Sequence, residues 1–141
     1  MPVPFTGGCA CGAIRYECTA EPLFMGNCHC RECQWESGGA HTSSLLVPAD
    51  TVTITGEVKY HERKGDSGST VRKGFCPTCG SPLFTRPARL ADKMGIRAGS
   101  LDDPSWFRPS ANIWTSSAQP WAVMDPDLPQ HPKTPPLPGA E

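Results

Sequence analysis

No stretch of this sequence stays apolar for long. Runs such as Leu45-Leu46-Val47 fall far short of the ~20 residues that a bilayer-crossing helix needs, so no membrane span is expected. A basic excess is missing too. Lys and Arg total 13 against 14 Asp and Glu. A protein that binds by neutralising phosphates carries the opposite balance, so nucleic acid is not an expected partner. The opening residues, MPVPFTGGCA, have neither a basic start nor an apolar core, so no secretory leader is expected and the reading is a cytoplasmic protein. The 141 residues leave room for one ordinary domain and not for two.

Turn formers and cysteines are plentiful. Sixteen prolines and fourteen glycines argue against long helices. Period-two alternation marks strands at 13–18 and 51–55, and Gly56 turns the latter into a further strand at 58–63. Further strands are expected at 23–27, 41–47, 70–75, 82–85 and 94–98. GGCACG reads as a tight loop, 31–36 as a short helical turn closed by Ser37-Gly38-Gly39, and 64–69 as a polar loop. Many short strands between turns predict a mainly β fold, a β-sandwich with short helical turns, over residues 1–124. The Pro-rich stretch 125–141 has little to bury and is expected to be extended and mobile, or to dock as a strap.

Eight cysteines carry the chemistry: Cys9, Cys11, Cys18, Cys28, Cys30, Cys33, Cys76 and Cys79. Disulfides are one reading. A reducing compartment and tight grouping favour the other, metal binding. Cys9-x-Cys11, Cys28-x-Cys30-x-x-Cys33 and Cys76-x-x-Cys79 can each aim several sulfurs at one tetrahedral Zn²⁺. Gly80, closing the last pair, suits the positive φ that a zinc knuckle often requires. Cys18 stands alone and reads as a small buried side chain on a strand.

Seven grouped sulfurs divide into four and three. Cys9, Cys11, Cys76 and Cys79 would close one structural site. Cys28, Cys30 and Cys33 would leave a position free on a second ion, the pattern of a catalytic zinc. The alternative is a second closed site, completed by His29, His41, Cys18 or a partner. Three thiolates on Zn²⁺ give a complex of charge −1 and weaken its Lewis acidity, so hydrolysis is a poor fit. Binding an incoming thiol as thiolate fits better.

GGCACGAIRYEC, NCHCRECQWESGG, GFCPTCGSPLF and AGSLDDPSWFRPSANIWTSSAQPW closely resemble, in order and spacing, the glutathione-dependent formaldehyde-activating enzyme family. The resemblance covers about residues 5–121. It implies a zinc-stapled β-sandwich of the β-tent kind, shared with a small Rab-GTPase chaperone. It implies carbon–sulfur lyase activity, condensing glutathione with formaldehyde to S-hydroxymethylglutathione or the reverse. It also implies a structural zinc on Cys9, Cys11, Cys76 and Cys79 and a catalytic zinc on Cys28, Cys30 and Cys33. Relatives often read Cys-Arg-Lys-x-Ser-Gly after the triplet. Here the run is Cys33-Gln34-Trp35-Glu36-Ser37-Gly38, and Asn112 stands in a segment that elsewhere reads His-Ile-Trp-Thr.

A small thiol such as glutathione needs cations for its carboxylates, and Arg31, inside the triplet loop, is the first candidate. Trp35 is placed to line the open position. Arg72 and Lys73 read as solvated strand residues, and Trp106, Phe107 and Trp114 as core. Asp102 and Asp103 read as turn formers. Ser37 and Ser81 have no base partner in the sequence. A carrier module that binds a thiol without turnover is the alternative function.

Overall fold

The computed structural model describes residues 3–135. Two sheets face each other over one core. The smaller is antiparallel, in the order β1 (Phe5–Gly8), β2 (Arg15–Cys18), β5 (Val52–Thr55). The larger comprises β3 (Phe24–Cys28), β4 (Thr42–Pro48), β6 (Lys59–Lys64), β7 (Thr70–Phe75), β8 (Pro82–Pro87), β9 (Lys93–Arg97), β10 (Ala111–Ile113) and β11 (Gln130–His131). Its order is β11-β10-β3-β4-β9-β8-β7-β6. Every pairing in it is antiparallel except β10 with β3 and β10 with β11.

The core follows from alternation. Tyr16 and Cys18 point inward from β2, Leu45 and Val47 from β4, and Leu83, Phe84, Met94 and Ile96 complete the opposite wall. The Tyr16 and Phe84 rings meet edge to face with centroids 5.3 Å apart. Burying each large apolar side chain contributes about 2 kcal/mol. Cys18 is fully buried, its thiol 3.4 Å from the Ala20 carbonyl oxygen. Trp106 and Phe107 pack against the rim of this core.

The structure departs from the sequence expectation at β1, where a loop was expected. Gly7 lies opposite Tyr16, whose hydroxyl is 2.7 Å from Ser100 Oγ. A Cβ on residue 7 would fall 2.2 Å from that hydroxyl and 2.4 Å from the Ser100 carbonyl oxygen. Glycine here is therefore a strand residue admitting a close approach, not a turn residue. β10 and β11 were also unforeseen, because strands of three and two residues are too short to show a period.

One helix, α1 (Arg31–Ser37), lies between β3 and β4. Cys30 is its N-cap, the sulfur accepting the Cys33 amide proton, and Glu32 occupies the first turn, where the helix dipole favours an acid. Gly38 ends it with a backbone bond to the Gln34 carbonyl.

Candidate functional site

All eight cysteines are free thiols. The loop between β1 and β2 carries Cys9 and Cys11, and the turn between β7 and β8 carries Cys76 and Cys79. Folding brings these four sulfurs within 4.8 Å of one another. The Cys9–Cys11 and Cys11–Cys76 sulfurs are 3.6 and 3.8 Å apart. A disulfide would need about 2.05 Å. A tetrahedron of sulfurs about 2.3 Å from a central ion has edges of about 3.8 Å. The spacing is thus that of a metal cage. Amides of Thr78 and Cys79 point at Cys76 Sγ and the Ile14 amide at Cys9 Sγ, so the sulfurs are accepting, as thiolates do. Ser81 ties the two loops together: its Oγ accepts the Ala10 amide and contacts Cys79 Sγ at 3.2 Å. That hydroxyl and the surrounding amides hold the Cys79 thiol down at about 5. Gly80 has φ 79°, which the knuckle needs and a side chain would oppose.

The second cluster comes from the end of β3 and the start of α1. Cys28, Cys30 and Cys33 place their sulfurs within 4.8 Å of one another, and no His, Cys, Asp or Glu atom of the other described residues joins them at that distance. Their titrations conflict. Hydrogen bonds from Cys28 and Cys30, helped by the Arg97 charge, hold Cys33 well below the usual thiol range. Cys28 is pushed up by its hydrogen bonds with Cys30 and Cys33 and by burial. For Cys30 the bond with Cys28 lowers the value, but Cys33 and burial push it up to about 12. Three packed thiols cannot all ionise without a compensating cation. A soft divalent ion removes that conflict, and the donor set fits zinc.

The alternative ligands His29, His41 and Cys18 do not join this cluster. His29 is fully buried and its Nε2 donates to Asn112 Oδ1 at 2.9 Å. Its ring stacks obliquely on His41, centroids 5.0 Å apart. Burial, then the neighbouring His29, lowers the His41 pKa. Asn112 is therefore the partner that orients His29. Gln34 donates to the carbonyls of His29 and Ser117 and pins the triplet loop from behind.

The three-sulfur cluster opens on a cavity of about 210 Å³. Arg63, Lys73, Arg89 and Arg97 supply its cationic lining. The two acids of α1 meet most of them. Glu36 takes Arg97 in a two-point pair at 2.5 and 2.9 Å and Lys73 at 3.3 Å, while Glu32 takes Arg63 at 2.9 Å. Lys73 is therefore a half-buried, ion-paired residue, contrary to the solvated role expected for it. Trp114 also departs from expectation, since it lines the cavity and not the core. Arg31 and Trp35 do not line it. The Arg31 guanidinium lies 5.3 Å from the exposed Trp35 ring on the outer face of α1 and hydrogen-bonds Gln34. Sequence reasoning missed Arg97 and Arg89 altogether, because only tertiary folding brings Arg97 to the cluster and Arg89 to the cavity wall. Asp102 pairs with Arg15 and Thr6, and Asp103 caps the turn at Ser105.

The family model described as "Glutathione-dependent formaldehyde-activating enzyme" matches residues 4–117. Among solved structures, a crystal structure of a Rhodobacter sphaeroides protein superposes with a TM-score of 0.55 at 18% sequence identity, covering 69% of this chain and 87% of that one. At that identity the likeness is one of fold.

Proposed function

The chain belongs to the glutathione-dependent formaldehyde-activating enzyme family, and on that premise we propose that it is a zinc-dependent carbon–sulfur lyase-type enzyme of the cytoplasm, acting on glutathione and formaldehyde. The observation that carries this reading is the unequal number of sulfurs in the two clusters, four in one and three in the other. Three sulfurs face a cavity with cations in its wall, while the other four satisfy one another.

Zinc bound by Cys28, Cys30 and Cys33 supplies a soft contact that keeps an incoming thiol ionised near neutral pH. The remaining work falls to side chains. Arg63, Lys73, Arg89 and Arg97 against Glu32, Glu36 and Asp66 leave one net positive charge beside the thiolate cluster. That charge favours a further anionic sulfur at the same place. The cationic wall also offers carboxylate partners, of which Arg89 makes no ion pair among the described residues and is free to meet one. In the forward direction the thiol proton passes to solvent, and the sulfur attacks the formaldehyde carbon. The carbonyl π pair moves to oxygen, which takes a proton to give S-hydroxymethylglutathione. The reverse breaks the same C–S bond, and nothing is oxidised or reduced.

The test is the rate at which zinc-loaded protein condenses glutathione with formaldehyde, followed by NMR above the spontaneous reaction. Acceleration that is lost in Cys33→Ser is the expected result. Glutathione binding with no acceleration would overturn the enzyme reading in favour of a carrier.

A further inference from the structure

The C-terminal segment enters the cavity from outside the stretch that the family model covers, which ends at residue 117. β11 pairs in parallel with β10, and β10 with β3, so that Ile113 sits opposite both His131 and Cys28. The segment therefore runs two strand spacings, about 10 Å, from the first ligand of the three-sulfur cluster. Thr134 and Pro135 reach the cavity wall beside Ile113 and Trp114.

Trp114 is the centre of this wall. It alone among the described non-glycine residues has a positive φ, 57°, a conformation that side chains disfavour and that persists only when neighbours hold it. The C-terminal segment holds it at two points. The Trp114 amide donates to the Lys133 carbonyl at 3.3 Å, and its indole Nε1 donates to Thr134 Oγ1 at 2.8 Å. Ser116 fastens the same segment through its amide and hydroxyl, both on the Pro132 carbonyl.

The sheet order gives the cavity two unlike ends. Arg63 on β6, Lys73 on β7 and Arg89 just after β8 belong to one side of the sheet, and Ile113, Trp114, Thr134 and Pro135 to the other. The cationic end suits the charged body of a thiol such as glutathione. The uncharged end is left for whatever is joined to its sulfur.

We propose that Trp114, Thr134 and Pro135 form a specificity wall that limits the carbonyl partner to a one-carbon compound, by restricting the group carried on the reacting sulfur. This rests on the reaction proposed above, and its test does not need turnover. S-methylglutathione and S-propylglutathione put an alkyl group where the new carbon would stand. Calorimetry with the zinc-loaded full chain should show the propyl compound binding at least tenfold more weakly than the methyl one, the scale on which an apolar pocket reads a few carbons. Trp114→Ala should bring the two affinities within about threefold, and Thr134→Ala, which removes only the indole's anchor, should move the ratio the same way by less. A wall that merely stabilises the fold would shift the melting temperature and leave the ratio alone. The proposal is overturned if either variant binds S-methylglutathione as the full chain does and keeps the original ratio, or if the full chain shows no preference between the two. A size preference without any condensation of glutathione and formaldehyde would leave the wall standing and refute the reaction.

Discussion

The sulfur of Cys30 has two duties. It belongs to the three-sulfur cluster, and it caps α1 by accepting the Cys33 amide proton. Serine performs the second duty at least as well. Cys30→Ser should therefore lose the second metal and the activity with a smaller loss of stability than Cys76→Ser. Cys76 is different: fully buried, it belongs to a cluster that joins distant parts of the chain. Structural zinc binding is folding free energy, about 10 kcal/mol in small zinc peptides, comparable with the whole stability of a domain. Cys76→Ser should leave little folded protein. Metal counting with denaturant titration of both variants checks the contrast. Equal losses would contradict the division of labour between the clusters. The grouping of these sulfurs was legible in the sequence because their spacing is local, one turn holding each group. The cations were not. Arg97 reaches Glu36 across 61 positions of chain, and no local period encodes that meeting.

At the scale of elements, α1 has seven residues and is too short to persist alone. Its acids anchor it. Glu32 and Glu36 lie four apart, on one face, and meet cations from β6, β7 and β9. The Arg97 and Glu36 side chains are only 12% and 13% exposed. Glu36→Gln would strand a buried guanidinium, a change that typically costs about 3 kcal/mol. Glu36→Gln with Arg97→Met should recover most of that loss, as read from urea midpoints. A Glu36→Gln protein as stable as the parent would show that the pair is solvent-screened after all. Glu36, the acid that follows the triplet, is thus answered by a base on β9. The alternation of β2 and β5 could be read directly from the chain. β1 could not, because its Gly7 signals a turn by composition and serves a close approach to Tyr16 by geometry.

At the scale of the molecule, the four-sulfur cluster is a rivet between the sheets. One pair of ligands hangs from β1 and β2 of the small sheet, the other from β7 and β8 of the large one. Chelation should therefore loosen the small sheet first. Hydrogen exchange with and without a strong chelator should show amides of β1, β2 and β5 losing protection before those of β4 and β9. Simultaneous loss everywhere would mean that the sheets hold together only as one unit. Among the described residues no helix is long and apolar enough to cross a membrane.

The large sheet ends on β11 at one side and β6 at the other. β11 has two residues, with Pro129 before it and Pro132 after it, and prolyl nitrogens have no proton to offer. β6 carries Lys59, His61, Glu62, Arg63 and Lys64. Neither margin presents a long uncharged row of backbone donors, so a second polypeptide finds no template on which to lengthen the sheet. The segment that carries Thr134 and Pro135 to the cavity wall thus also closes one margin of the large sheet.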